Sequence, residues 1–551
     1  MSQNKKPRLI LDLRHVNACI ARRKVKFEGA VEGLSFARKG NFMLKYDLTS
    51  GYHHINIHPD YFTFLGFSWK FESVTKYFVF TVLPFGLSSS GYIFTKTLRP
   101  LVKYWRSMGI KVIMYLDDGW ICDSLDNCIK ISQVIKNDLD CAGFLVNQEK
   151  SQWEPVQLLD WLGFTWNLRD GYIDIPQYKL DNLCIKFASL QNNTAITVRQ
   201  IASVVGSIIS LKFAYGPICH FFTRHLSTLV ALKTSWDEKV ELSAAAIAEI
   251  KFWSENVYSL SPRVIAPWFR KPERVIYTDA SDHAGAGVLL DSIHEIFHCM
   301  WNEYVRVQSS TFRELKAVEL VLETFGHILR NKFVKLYSDN QNVVRITQIG
   351  SMKPELQDLA FSIYKICLEH NIDLSVAWVP RDLNCEADFI SKMFDFDDWS
   401  VSDKIFKFFD KIWGPFTCDI FANSDNHKLT KFYSLFWTPG TSGVDAFAFD
   451  WSLDLNWIVP PVHLINKTIS YLTQCRARGT LVIPKWTSAA FWPSIVNLYS
   501  EFLPFIIDHI EYKNPTNFFV PGSDKNSIFA LQTFQSNVLV LRIDGTRTSN
   551  V

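Results

Sequence analysis

KVIMYLDDGWICD, residues 111–123, sets two adjacent carboxylates, Asp117 and Asp118, between apolar runs and follows them with Gly119. The pattern predicts a β-hairpin carrying the acids at its tip, with Gly119 easing the turn. Side-by-side carboxylates repel, so the arrangement is costly unless a cation sits with them. Mg²⁺ is the expected occupant, because it prefers hard oxygen ligands and also binds substrate phosphates; Mn²⁺ can substitute. On its own an Asp-Asp turn is more often a plain surface feature, so the weight lies in what surrounds it.

Upstream, FMLKYDLTSGYHHINIHPD (42–60) places Asp47 at the end of an apolar run, where its carboxylate could meet the hairpin tip and complete a two-metal site. Between them, YFVFTVLPFGLSSSGYIFTKTLRPL (77–101) holds a stiff Pro84-Phe85-Gly86 turn, and Gly86 allows a nucleic-acid backbone to approach closely. Downstream, FLVNQEKSQW (144–153) and LLDWLGFTW (158–166) add Lys150 and Gly163. His53 and His54 are read as structural, since strand alternation turns at most one of them inward.

These segments, with RLILDLRHVN (8–17) before them, resemble the successive motifs of a reverse transcriptase, in the family's order and approximate spacing. The resemblance implies that Asp47 and Asp117 are the principal metal ligands and Asp118 a more peripheral third acid. It implies that Arg8 meets the incoming triphosphate and that Tyr52, five residues after Asp47, lies under the sugar and excludes a 2′-hydroxyl. Gly86 and Lys150 complete the expected nucleotide-binding set. The implied partners are an RNA template, a DNA primer, RNA–DNA hybrid and dNTPs, with other retroelement proteins as further partners. The family carries additional residues before the KKPRLILDLR motif, so an N-terminally truncated fingers region is expected.

A second set of acids follows. VIYTDASDHAGAGVLL (275–290) puts Asp279 on a strand with a glycine-rich return strand. STFRELKAVELVLETF (310–325) reads as an amphipathic helix with Ser310 or Thr311 near the N-cap and Glu314 in the first turn. Its apolar stripe of Leu315, Val318 and Leu322 leaves Glu314 free to face Asp279. FVKLYSDNQNVV (333–344) ends a strand at Asp339, and LSVAWVPRDLNCEADFISK (374–392) brings Asp388 to the start of a helix. Four acids at the edges of apolar runs suggest a second two-metal site. Their order and the TDAS, SDN and AD contexts resemble RNase H, which implies hydrolysis of the RNA strand of a hybrid. One departure is that many RNases H carry a histidine in the loop before the last Asp, whereas this loop reads Pro380-Arg381-Asp382-Leu383-Asn384; slower turnover at worst is expected.

The last segments, FTCDIFANSDNHKLTKFYS (416–434), VDAFAFDWS (444–452), WIVPPVHLI (457–465) and GTLVIPKW (479–486), resemble the module behind RNase H in DIRS-type retrotransposons, which integrate with a tyrosine recombinase. They are also similar to phage adenine-N6 methyltransferases. Where those enzymes have Asp/Asn-Pro-Pro-aromatic, this chain has Val459-Pro460-Pro461-Val462. Valine can neither hydrogen-bond an adenine amino group nor stack on a flipped base. A methyltransferase-like fold without methyl transfer is the reading, with a plain structural module as its alternative.

The totals agree with a multidomain intracellular protein. The 551 residues suggest three or four domains, and 48% apolar with 15% aromatic residues is ample for folded cores. A net charge of +3 announces no nucleic-acid binder, although Lys5, Lys6, Arg8, Arg22, Arg23, Lys24 and Lys26 make the N-terminus basic. Eleven cysteines, none in a CxxC pair, argue against a zinc module and against a complete disulfide framework. No signal peptide and no bilayer-length apolar run is found, so a soluble protein of cytoplasm or nucleus without membrane contact is expected. No aspartic protease motif, integrase zinc module or length for a recombinase is present.

The expected fold class is α/β and α+β, multidomain. A right-hand polymerase with fingers and palm occupies 1–170 and a helical thumb or connection 171–265, where the Leu242–Trp253 stretch has helical spacing. An RNase H fold with a mixed five-stranded sheet takes 266–395. After the acidic FDFDDWS linker comes an α/β module at 410–545. The function expected is RNA-directed DNA synthesis with RNase H activity. The competing class is a truncated or domesticated remnant that grips nucleic acid without catalysis; the seven intact acids speak against decay.

Overall fold

The computed structural model describes residues 9–547 except 22, 24, 192–195, 261, 266–270 and 292–293. Arg8 lies outside the described residues. The chain divides into two compact units, Met1–Arg270 and Lys271–Val551.

In the first unit, strand β1 (Phe42–Asp47) lies between β3 (Asp118–Asp123) and β4 (Gln152–Val156), and β2 (Val112–Tyr115) extends the sheet beyond β3. All pairs are antiparallel. Alternation decides the burial: Leu44 and Tyr46 point into a core shared with Leu98 and Trp105 of helix α1 (Ser90–Ser107) and Ile131 and Ile135 of α2 (Leu125–Cys141). Trp120 faces the other way, stacked on Trp161 at 5.1 Å between ring centroids, with Trp166 at 5.2 Å. Such pairs contribute about 0.5–1.5 kcal/mol each beyond buried area, so the indole cluster fixes this sheet against the next one. That second sheet runs from Leu158–Trp161 through Phe164–Asn167 and Tyr172–Asp174 to Arg263–Val264. A separate hairpin, Gly66–Phe71 with Val74–Val79, is largely exposed.

Between Gln177–Gln191 and Ala244–Asn256 the described residues are mainly helical, with one short antiparallel pair, Ile196–Thr197 with Lys239–Val240. Thr197 and Gln200 form a capping box for the helix Val198–Ile209. The buried Glu249 carboxylate accepts from the His225 and Leu226 backbone N–H groups at 2.9 and 3.0 Å, satisfying donors that open the helix Arg224–Ala231.

The second unit contains a mixed five-stranded sheet, as expected. Strand β5 (Arg274–Ala280) is central, antiparallel to β6 (Ala284–Leu290), which in turn pairs with β7 (Glu295–Met300). On its other side β5 runs parallel to β8 (Phe333–Ser338), which runs parallel to β9 (Asp373–Trp378). Helix α3 (Ser310–Leu329) packs across β5 and β6 with Leu315, Val318 and Leu322 fully buried, the stripe read from the sequence. Its N-cap is Ser309, which accepts from the Phe312 N–H at 3.3 Å, so Glu314 sits in the second turn rather than the first. A short helix, α4 (Cys385–Ser391), lies beside β5 and β6.

The remainder is a second five-stranded sheet. Strands β10 (Cys418–Asp419), β11 (Leu455–Ile458) and β12 (Arg478–Pro484) are parallel. Antiparallel β14 (Val538–Asp544) follows, with β13 (Ile506–Tyr512) at the edge. The FDFDDWS stretch is not a free linker. Asp398 accepts from the Ser523 N–H at 2.9 and 2.8 Å, and Trp399 stacks on Phe529 at 3.8 Å. Trp437 bonds the edge strand β7 through its backbone, with its N–H on the Ile296 carbonyl at 3.0 Å, and so covers part of that edge. All eleven cysteines are free thiols, and no helix among the described residues is long and apolar enough to cross a membrane.

Candidate functional site

The first site grows from the register of β1 against β3, which sets Asp47 directly opposite Asp118 and Tyr46 opposite Gly119. Asp117 occupies the loop between β2 and β3, and its carbonyl accepts from the Leu48 N–H at 3.0 Å. All three acids therefore lie at one end of the sheet, although their oxygens do not all come within 4.8 Å of one another. The Asp118 carboxyl is pushed up to about 6, first by burial and then by the charges of Asp117 and Asp47. Lys150 stands 3.5 Å from Asp47, and the Ser151 hydroxyl accepts from the Asp47 N–H at 3.1 Å. Sequence reasoning named Lys150 but missed Ser151.

Three local readings change. Gly119 does not make the turn: Leu116 does, with φ of 54°, a left-handed conformation that is strained for a branched residue. Gly119 is needed because a Cβ there would lie 2.2 Å from the Tyr46 ring. Gly86 (φ 104°) is approached closely by this chain's own backbone, since a Cβ would stand 2.1 Å from the Leu11 carbonyl oxygen. Finally, Gly51–His54 is a 3-10 turn rather than a strand. His54 is structural there, its Nε2 accepting from the Leu145 N–H at 3.0 Å and its Nδ1 lying 3.2 Å from the Gly51 carbonyl. Tyr52 leaves the same turn, half-buried, with its ring 5.0 Å from Phe85 and 5.4 Å from Phe94. Burial, then the charge of Asp117, raises its hydroxyl pKa, so it shares the acids' neighbourhood.

The second site is tighter. Asp279 near the end of β5, Glu314 on α3 and Asp339 just after β8 each offer an oxygen, and these atoms lie within 4.8 Å of one another. Among the described residues this is the one such group. Asp279 and Glu314 are buried, and Glu314 is pushed up to about 8 by burial and by the charges of Asp279 and Asp339. Three oxygens held together against their repulsion are a donor set that fits Mg²⁺ or Mn²⁺, whose charge would relieve it. The Ser391 hydroxyl donates to Asp279 at 2.6 Å and the Ser338 hydroxyl to Glu314 at 3.3 Å. Both serines were missed. Ser391 lies three residues after Asp388 on one helix, which is the signal that could have found it. Asp388 is at the same end of the sheet but is engaged by Arg381 and Lys392. In the C-terminal module, Val459 and Pro461 line a cavity of about 530 Å³.

Residues 2–166 match the family model for reverse transcriptase (RNA-dependent DNA polymerase). The Pro-Pol polyprotein of feline foamy virus is 28% identical over 228 residues, 41% of this chain and 18% of that polyprotein. The Gag-Pol polyprotein of bovine immunodeficiency virus (strain R29) is 25% identical over 248 residues, 44% and 15% respectively. The genome polyprotein of Petunia vein clearing virus (isolate Shepherd) is 22% identical over 336 residues, 59% and 14%. The chain thus spans less than a fifth of the length of these relatives. Among solved structures, a foamy viral protease-reverse transcriptase in complex with RNA/DNA hybrid aligns with a TM-score of 0.42 at 16% identity, covering 67% of this chain and 48% of that one. The dRH form of that protein in complex with dsDNA gives 0.43 at 16%, covering 69% and 64%.

Proposed function

We propose that this chain, which carries the reverse transcriptase domain of a retroviral or retroelement Pol polyprotein, is an RNA-directed DNA polymerase that also degrades the RNA strand of its RNA–DNA hybrid. The observation that carries the polymerase reading is the β1–β3 register, which pairs Asp47 with Asp118 beside the Asp117 loop. Asp47 and Asp117 would hold Mg²⁺ with Asp118 as the outer acid. Such an ion, when bound, activates the attacking oxygen and stabilises the leaving phosphate. Arg8 and Lys150 supply positive charge for the triphosphate, and the Tyr52 ring favours dNTP over NTP.

The RNase H reading is supported by the grouped Asp279, Glu314 and Asp339. The palm and fingers take 1–170, a helical thumb or connection 171–265, and the RNase H domain 266–395. A degenerate methyltransferase-like module at 410–545 makes a DIRS-type retrotransposon the favoured origin. The protein works inside the cell, in cytoplasm or nucleus, on RNA template, DNA primer and dNTPs.

Primer extension on poly(rA)–oligo(dT) with Mg²⁺, run beside cleavage of a labelled hybrid, tests both halves. Asp117→Asn/Asp118→Asn should abolish extension and spare cleavage, and Glu314→Gln should do the reverse. A folded wild type that binds hybrid but performs neither reaction would instead favour a non-catalytic remnant.

A further inference from the structure

The short helix α4 is tied at both ends to the strand that bears Asp279. At its start the buried Asn384 donates through Nδ2 to the Thr278 carbonyl at 3.0 Å, one residue before that acid. At its end Ser391 donates through Oγ to the Asp279 carboxylate at 2.6 Å. The Ser281 hydroxyl, two residues beyond Asp279, donates in turn to the Ser391 carbonyl and accepts from the His283 and Ala284 N–H groups at 3.0 and 3.1 Å. These bonds hold α4, and with it Asp388, against residues 278–281.

Ser391 is fully buried and Asp279 is only 4% exposed. Among the described residues no other side chain donates to the Asp279 carboxylate. The Ser391 hydroxyl has one proton and two acceptors in reach, that carboxylate at 2.6 Å and the Asp388 carbonyl at 2.9 Å. A bond to an ionised acceptor is shorter and roughly twice as strong as one to a neutral carbonyl, so the proton goes to Asp279. A serine on a helix can equally turn its hydroxyl to the carbonyl of the preceding turn; here the acid draws it away. A free Asp carboxyl turns broadly about χ2. Holding one of its oxygens sets the carboxyl plane and leaves the remaining lone pairs to be shared with Glu314 and Asp339, whose oxygens lie within 4.8 Å.

We propose that Ser391 is a positioning residue for hybrid cleavage: its hydroxyl orients the Asp279 carboxyl and locks it to the helix that carries Asp388, so that the acids offer a preformed set of oxygens to divalent cations. Ser391 acts through Asp279 and touches neither cation nor hybrid. The inference rests on the RNase H reading above and adds to it a residue outside the four acids.

The test uses the full-length chain carrying Asp117→Asn/Asp118→Asn, which silences the first site. Cleavage of a labelled RNA–DNA hybrid is followed across Mg²⁺ concentration, and Mn²⁺ affinity is read by electron paramagnetic resonance, with Glu314→Gln marking the ions bound at these acids. Loss of a group that orients a metal-binding carboxylate lowers metal affinity or activity by about 10–100-fold. Ser391→Ala should therefore raise the Mg²⁺ needed for half-maximal cleavage and weaken Mn²⁺ binding by at least tenfold, with the KM for hybrid unchanged within a few-fold. Ser391→Thr, which keeps the hydroxyl, should restore most of both. Ile390→Val, a buried change on the same helix, should lower the melting temperature in circular dichroism and leave the metal dependence where it was. Ser391→Ala with unchanged metal dependence, or with no larger shift than Ile390→Val, overturns the proposal, as does a Ser391→Thr chain that melts like wild type yet behaves like the alanine variant. Each of these refutes only this inference; a chain with Ser391 intact that neither cleaves hybrid nor binds Mn²⁺ at these acids refutes the RNase H reading itself.

Discussion

Replacing Gly119 probes the first site most sharply, because the structure and the turn chemistry give opposite expectations. A Cβ at this position would lie 2.2, 2.3 and 2.7 Å from three ring carbons of Tyr46. Carbon atoms in ordinary contact stand roughly 3.5–4.0 Å apart, so the ring would have to retreat by about 1.3 Å. It has little room, being stacked on Trp153 at 5.6 Å and edge-on to Trp105 at 6.4 Å, with its hydroxyl on the Met114 sulfur at 3.2 Å. Overpacking of this kind costs about 1–3 kcal/mol. The shift would pass to Asp47, the next residue, and to its cross-strand partner Asp118. A misplacement of about 1 Å at a reacting centre lowers rate by roughly 10²-fold. Gly119→Ala should therefore lose about two orders of magnitude in single-nucleotide incorporation, and Gly119→Asn more, although Asn is well suited to turns. Adding Tyr46→Leu should restore part of the rate. Single-turnover incorporation and urea melts read both effects; a Gly119→Asn enzyme with unchanged extension would refute the reasoning.

At Gly86 a methyl would meet the Leu11 carbonyl at 2.1 Å and the residue has φ of 104°, so Gly86→Ala should cost about 1–3 kcal/mol and release the N-terminal segment, read by urea melts and limited proteolysis. Asp419 is buried in the C-terminal module and pushed up to about 7 by that burial. Its folded form holds a proton that the unfolded chain has released, so stability is fullest below the ordinary carboxylate range and falls as pH rises toward 7. The loss should be roughly 2–3 kcal/mol between pH 5 and 7. Asp419→Asn, which keeps an acceptor for the Lys428 N–H now at 2.9 Å, should flatten that dependence in thermal melts at the two pH values.

What could be read from the sequence was whatever is written in consecutive residues. Asp47, Asp117, Asp279 and Asp339 each stand at or near the end of an apolar run, which carries them to one end of their sheets. The Leu315, Val318 and Leu322 stripe was legible because helical spacing is local. The roles that were missed depend on partners distant along the chain. Gly119 answers to Tyr46, Gly86 to Leu11 and Asp279 to Ser391. The turn at Leu116 was hidden because a neighbouring glycine offered an easier explanation for it. FDFDDWS looked like a linker because its acids read as solvated, whereas Asp398 is tied to Ser523.

The most direct measurement is single-nucleotide incorporation by Asp47→Asn beside wild type, on a primed RNA template with Mg²⁺, with hybrid affinity measured in parallel. The account predicts loss of incorporation by at least 10³-fold with affinity unchanged within a few-fold, the signature of a group acting only at the chemical step. Incorporation that survives Asp47→Asn would contradict the claim that the β1–β3 register builds the polymerase site.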